Sequence, residues 1–478
     1  MDIPVTPRAA VPPGELPPAA RRLPDGRLAV SYAAVLGLAG PLVLNSGVQS
    51  ILNLTDTWFI GRLSTQATAA MGAIYWLVLC GILLLGGVAM SVQTFAAQGF
   101  GARRYRAASN AAWSGVAASL CTIPAFIALG FVARPVLEAA GIDAEVRELA
   151  LAYWWPRFAV GGPLALIAWS FSSFFNGVGK TRDTLVITLL ISITNAIFNE
   201  WFMFGLDMGI AGSAWGTVAA TAVGVLLSLA VFLGRPVRLH FQSHLTWRRV
   251  RLRRQFTLGL PMGLAIAADL FGFALFQLML VRVGAVAGAA TQIVTMLTSL
   301  AYGPGVGIAL AGTTLVGQSM GQRRTDWAMT IGNAVIGIVV VYMGGVAVLL
   351  AIGTPWVAAW FINGTDPNAA AVLALCGRLM WIAAGFQVFD ALNLGSGFCL
   401  RGAGDARVPA ILVALLAWCG WVPLTHMLTF APGEGYVHFL PQFGWGPTGG
   451  WWAALIYVVC LGLMLNWRWR SGAWRPRP

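Results

Sequence analysis

Apolar residues in this chain run in long unbroken stretches rather than in short alternating ones. Windows of roughly 20 apolar residues recur along the whole length, enough for an α-helix to cross the hydrocarbon core of a bilayer. A β-barrel would show alternating segments of about 10 residues, and none is visible. The polar and Gly/Pro-rich breaks predict twelve spans, over about 31–62, 67–97, 107–133, 149–176, 184–205, 212–234, 257–281, 286–317, 328–353, 372–400, 409–430 and 450–467. The predicted fold class is an all-α polytopic membrane protein. One detail asks for a reason: the stretch SILNLTDTWFIGRL at 50–63 sets a carboxylate, Asp56, inside the first apolar run.

Composition agrees. The chain is 58% hydrophobic and 10% charged, where a soluble domain carries about 25% charged residues. The six cysteines lie in apolar runs without C-x-x-C spacing, and the four histidines form no H-E-x-x-H motif. Neither a disulfide framework nor a catalytic metal is indicated. No His/Asp/Glu constellation of an enzyme appears, so the chain is not expected to be one, and no organic cofactor is implied.

The net charge of +13 changes the picture only through its placement. With both termini on one side, 24 of the 30 Lys and Arg fall on that side. The other six are Arg62, Arg134, Arg147, Arg157, Arg282 and Arg378, at or near the opposite ends of the spans. This is the positive-inside bias of a membrane protein with cytoplasmic termini, not a nucleic-acid footprint. The surroundings are membrane lipids, and no nucleic-acid partner is expected. Residues 1–29, rich in Pro and Ala, read as a disordered cytoplasmic tail rather than a cleavable signal peptide.

The chain repeats itself. At an offset of 220, GPLVLNSG (40–47) meets LPMGLAIA (260–267), and FAAQGFGARR (95–104) meets LVGQSMGQRR (315–324) without a gap. At an offset of 225, NGVGKTRDT (176–184) meets RGAGDARVP (401–409). Each half holds six spans, so both enter from the same side. This is a parallel repeat: two six-helix bundles related by a pseudo-two-fold along the membrane normal. The expected organisation is a tail (1–29), an N-terminal lobe (30–234), a basic linker (235–256), a C-terminal lobe (257–467) and a cytoplasmic tail (468–478). A cleft between such lobes suits a transporter working by alternating access. Each chain contains a complete cleft, so a monomer is expected.

The pattern P-x14-D-T-x-F-x-G-R-L in the first span (Pro41, Asp56, Thr57, Phe59, Gly61, Arg62, Leu63) resembles the multidrug and toxic compound extrusion (MATE) transporters. So do AQGFGARR, VGQSMGQRR, NAIFNEWFMFG (195–205) and FQVFDALNLGSGFCLRGAGDARVP (386–409). The set runs in order over about 31–467. Asn195 and Asn199 in the fifth span fit the NorM-like branch; the DinF-like branch would place an aspartate at 199. One departure is Asp269, where NorM-like proteins usually carry a glutamate eight residues after the seventh-span proline. The resemblance implies a bacterial inner-membrane exporter.

Of the 17 acidic residues, Asp56, Glu200, Asp269 and Asp390 lie within spans. Charges in the membrane are costly and face the bundle interior. Asn45, Gln49, Asn53 and Asp56 form one stripe at helical spacing, and Ser192, Asn195 and Asn199 another. Asp269 shares a face with Gln277 in span seven, and Gln387, Asp390 and Asn393 share one in span ten. A carboxylate in a low-dielectric pocket is costly to keep charged, so it can take up and release a proton. With amide oxygens beside it, it can instead hold Na⁺. Asp269 and Asp390 are the expected coupling site for H⁺ or Na⁺ in the second lobe, and Asp56 its counterpart in the first. The resemblance implies the same roles. Glu200, near the outer end of span five, reads as a hydrated surface group.

The 21 Trp and 25 Phe are chiefly lipid-facing or interfacial, while a few suit a cavity for lipophilic organic cations. Gly303, Pro304 and Gly305 fall mid-span and are a candidate hinge. The expected activity is efflux of such small molecules in exchange for H⁺ or Na⁺. A lipid-linked precursor flippase is the alternative, but it would need mid-membrane Arg or Lys for a pyrophosphate. A narrow exporter of one metabolite remains within the leading class.

Overall fold

The computed structural model describes residues 16–139, 141, 143–243, 249–362 and 367–475. Twelve helices among them are long and apolar enough to cross a membrane. They are α1 (Tyr32–Gly61), α2 (Gln66–Gly101), α3 (Tyr105–Ala139), α4 (Ala144–Gly177), α5 (Thr181–Gly205) and α6 (Gly209–Leu233). The second half holds α7 (Val250–Val283), α8 (Ala285–Gly321), α9 (Thr325–Phe361), α10 (Ala369–Ala403), α11 (Arg407–Thr429) and α12 (Gly446–Arg470). All twelve expected spans are present, most of them longer by a few residues at one end or both. In lipid every backbone group must bond within its own segment, so the apolar runs have no option but helix. Where polar residues appear, the chain starts helices with them. The Ser31 hydroxyl accepts from the Ala34 amide at 3.4 Å, and Ser64 accepts from Ala67 at 3.0 Å.

The repeat is visible in the backbone. Arg103 and Arg323, equivalent at the offset of 220, both adopt left-handed φ, 55° and 62°. Gly179 and Gly404, equivalent at 225, end the tight turns after α4 and α10 with φ of 83° and 94°. A side chain at these two glycines would strain the backbone, so glycine stands at both. The helices form two six-helix bundles, α1–α6 and α7–α12. Buried apolar residues of α7–α12 form one core, which Val35, Ala39 and Leu42 of α1 join, and those of the first half form two further cores.

The bundles touch most closely along α2 and α7. Gly87 lies against Gly259 and Gly263, and a Cβ at Gly263 would overlap the Leu84 carbonyl. A second seam joins α1 to α8, where Gly307 packs on the Val43 backbone. Small residues let membrane helices approach this closely, and dispersion contacts replace the missing hydrophobic drive. Both seams lie towards the end of the molecule that carries the α2–α3, α6–α7 and α8–α9 connections. That end holds Arg103, Arg104, Arg235, Arg238, Arg323 and Arg324, and is termed the basic end.

Two expectations at this end need correction. Residues 20–30, expected within a disordered tail, form an antiparallel hairpin of Ala20–Arg22 with Leu28–Val30; residues 1–15 lie outside the described residues. The hairpin is anchored because the Trp327 indole donates to the Pro18 carbonyl at 3.0 Å, and Ala19 and Val30 pack on the core of α7–α12. The linker expected over 235–256 is also shorter. A helical turn covers Arg235–Phe241, residues 244–248 lie outside the described residues, and α7 is already helical at Val250. Arginine is a good helix former, so the charged turn Arg251–Arg254 extends the helix beyond its apolar part.

Candidate functional site

In the first bundle the site starts from Asp56. Its side chain is 7% exposed, although it sits on the first helix of the chain. The Asn199 amide of α5 donates to Asp56 Oδ1 at 2.6 Å and also faces Asn195 Oδ1 at 3.3 Å. Asn195 in turn donates to Thr217 Oγ1 of α6 at 3.2 Å, and Thr217 donates to the Ser213 carbonyl at 3.0 Å. Three helices thus converge on one carboxylate. Gly216 makes this possible, because Asn199 packs where a side chain at 216 would stand. Asn199 Oδ1 and Ser213 Oγ are buried without a hydrogen-bond partner among the described residues. A carboxylate is an oxygen donor that suits a hard monovalent cation or a proton, and Asn199 here turns its amide nitrogen, not its oxygen, to it. Residues 201–205 of α5 and 157–161 of α4 are π-helical. Such bulges are frequent at functional sites and shift the register of the side chains beside them.

The second bundle builds a different cluster. Asp269 of α7 accepts a hydrogen bond from the Tyr457 hydroxyl of α12 at 2.7 Å. The Tyr457 ring stacks on Trp421 of α11 at 4.8 Å and 7°, inside another π-helical turn, Leu416–Trp421. Asp390 of α10 is 8% exposed and accepts from Asn393 at 3.1 Å. Gln387 donates to the Thr298 carbonyl of α8 at 2.7 Å, leaving its buried Oε1 unpartnered. The two carboxylates are close enough for their charges to act on one another. Gly462 brings α12 against the Phe389 carbonyl, which fixes α10 beside Tyr457.

The remaining expected residues are scattered. Gln49 and Asn53 are exposed on α1, while Asn45 is half-buried with its Oδ1 unpartnered. Ser192 and Gln277 are half-buried and outside the bonds around Asp56 and Asp269. Gly303, Pro304 and Gly305 lie within an unbroken α8, with Gly305 pressed on the Met343 sulfur. Glu200 is exposed and faces Arg62 at 3.5 Å. Arg378 is exposed on α10. Arg157, read as an outer-end residue, instead lies near enough to Asp56 to interact electrostatically, because α4 begins earlier than expected.

Sequence reasoning missed Thr217, Tyr457, Trp421 and Arg157. It also missed a set of bonds between the bundles at the basic end. Thr94 Oγ1 and Gln98 Nε2 of α2 donate to the carbonyls of Arg401 and Gly402, at 2.9 and 3.1 Å. Thr314 Oγ1 and Gln318 Nε2 of α8 donate to those of Asn176 and Gly177, at 2.9 and 3.0 Å. The second set is the pseudo-symmetric copy of the first. Gln93 adds bonds to the Leu310 carbonyl and to Thr314 Oγ1, both at 3.0 Å. Towards the other end, Trp76 meets Phe273 with ring centroids 6.5 Å apart.

Comparison with known proteins places this geometry. The MatE family model matches residues 41–201 and 261–424, the two halves of the repeat. A probable multidrug resistance protein NorM of Burkholderia mallei is 28% identical over 455 residues, 93% of this chain and 94% of that one. One from Rhizobium meliloti is 26% identical over 460 residues, with 93% and 94% covered. Among solved structures, a MOP superfamily transporter from Pyrococcus furiosus superposes with a TM-score of 0.81 at 20% identity, over 93% of this chain and 96% of that one. A multidrug resistance MATE family transporter in an outward-facing conformation gives 0.80 at 20%, over 92% and 96%. The chain belongs to the MatE family, the multidrug and toxic compound extrusion transporters, and its curated relatives carry the name NorM.

Proposed function

We propose that this protein is a secondary active antiporter that exports lipophilic organic compounds, cations foremost, in exchange for H⁺ or Na⁺. The observation that carries the reading is the pair of carboxylate clusters, one in each bundle, each tied to helices that must move together. Around Asp56, ion or proton occupancy changes what Asn199 can bond, and so biases how α1, α5 and α6 pack. Around Asp269 and Asp390, two carboxylates sharing one region favour taking up a positive charge. Tyr457 and Asn393 would hold the two carboxylates in place as that charge comes and goes. A coupling ion can shift a conformational equilibrium only through different affinities for the two states, and a site built across several helices supplies that difference.

The basic end is taken to face the cytoplasm, in line with the positive-inside bias. The bonds from Thr94, Gln98, Thr314 and Gln318 hold the bundles together there, which supports an outward-open state for this conformation. Return to a state open at the basic end, where the next substrate binds, would then require these bonds to exchange for contacts at the outer end. The direct test is ethidium movement in proteoliposomes of the purified protein, with a proton or a sodium gradient imposed separately. Dye movement driven by one gradient names the coupling ion. No movement under either gradient contradicts multidrug antiport.

A further inference from the structure

A cavity of about 310 Å³ opens at the basic end between α2, α3 and α7, at the small end of the ~300–1,000 Å³ typical of ligand pockets. Arg104, immediately before α3, and Arg251 and Arg254 of α7 line it, and none of the described residues lining it is acidic. Its wall carries buried polar side chains, Asn110 at 6% and Gln255 at 1% exposure. The repeat supplies an internal comparison. At the offset of 220, Arg251, Arg254 and Gln255 correspond to Ser31, Ala34 and Val35, and Ala107 to Trp327. Between α1, α8 and α9 the equivalent region is filled: Val35 is fully buried, and the Trp327 indole is bonded to Pro18, just before the N-terminal hairpin. Among the described residues, one copy is plugged and the other keeps a cavity with three arginines on its wall.

We infer that the open copy binds the phosphate of an anionic phospholipid headgroup. Guanidinium groups match phosphate oxygens in paired hydrogen bonds. Basic pockets between helices at the membrane surface are suited to such headgroups. Phe95 and Ala111 form the apolar part of the wall, where the start of an acyl chain would lie. A free phosphate shares the charge but gains nothing from that apolar side. The bound headgroup would join α3 of the first bundle to α7 of the second, beside Gln98. The inference rests on the membrane assignment and not on the coupling reading.

The test is native mass spectrometry of the full chain in detergent, titrated with phosphatidylglycerol, phosphatidylcholine or inorganic phosphate. Phosphatidylglycerol is expected to bind in preference to phosphatidylcholine. Arg251→Gln with Arg254→Gln should weaken it about tenfold or more, while Arg235→Gln with Arg238→Gln, outside the cavity, should not. Ala107→Trp, which copies the plug of the second bundle and keeps every charge, should abolish the adduct and decides the matter if the arginine variant does not fold. Equal loss in both arginine pairs would mean diffuse surface attraction and overturn the site. Displacement of the lipid by millimolar inorganic phosphate would overturn the lipid in favour of a soluble anion.

Discussion

Gln98 and Gln318 make the same hydrogen bond in opposite directions. Each sits near the end of its bundle's second helix and reaches across to a glycine carbonyl of the other bundle, Gly402 and Gly177, at 3.1 and 3.0 Å. The AQGFGARR and VGQSMGQRR motifs therefore form one clasp, made twice. Replacing both glutamines by alanine removes two such bonds, worth ~0.5–1.5 kcal/mol each. The expected result is a shift of about thirtyfold towards a state open at the basic end. In a background without the six free cysteines, Ala97→Cys should then react faster with an impermeant thiol reagent added from that side. An unchanged rate would rule out the clasp.

Thr217 acts on Asp56 only through Asn195 and Asn199. Thr217→Val keeps the shape and removes the acceptor that orients Asn195. The apparent affinity for the coupling ion should fall about tenfold, the scale found for partners that orient a ligand, while maximal efflux stays near that of the parent. A drop in maximal efflux alone would point to a packing defect instead.

Tyr457→Phe deletes the hydroxyl that donates to Asp269 and leaves the ring stacked on Trp421. Removing a hydrogen bond to a half-buried charged acceptor costs about 1 kcal/mol or more, so thermal unfolding in detergent should begin at a lower temperature. The ion dependence of efflux should change with it, whereas Trp421→Phe should lower stability and leave that dependence in place.

Gly263→Ala tests the seam between α2 and α7. The added methyl would overlap the Leu84 carbonyl, and overpacking of this kind costs ~1–3 kcal/mol. The protein should unfold at lower temperature and transport more slowly. Gly47→Ala, where nothing lies within 4 Å of the added carbon, should behave as the parent does.

The spans were legible because lipid permits little else: an apolar run long enough to cross has to be helical. Asp56, Asn195 and Asn199 were legible as polar stripes on apolar helices. Helical period alone cannot say which neighbour a stripe meets, so Gln49 and Asn53 share the stripe of Asp56 yet lie exposed. Thr217 left no signal, because a hydroxyl that returns to the carbonyl four residues back suits any membrane helix. Tyr457 was hidden in the apolar run of α12, where only its oxygen is polar. The N-terminal hairpin escaped notice because its strands are three residues each and are held by a tryptophan about 300 residues away.

The measurement that bears most directly on coupling at the carboxylates is gradient-driven ethidium efflux by Asp390→Asn beside the parent protein, reconstituted at equal density. The amide preserves the size of the side chain and its bond to Asn393 in altered form, but it cannot carry the negative charge. The account expects dye efflux under the effective gradient to fall to the level of empty vesicles, while dye binding in detergent persists. Full gradient-driven efflux by Asp390→Asn would contradict it.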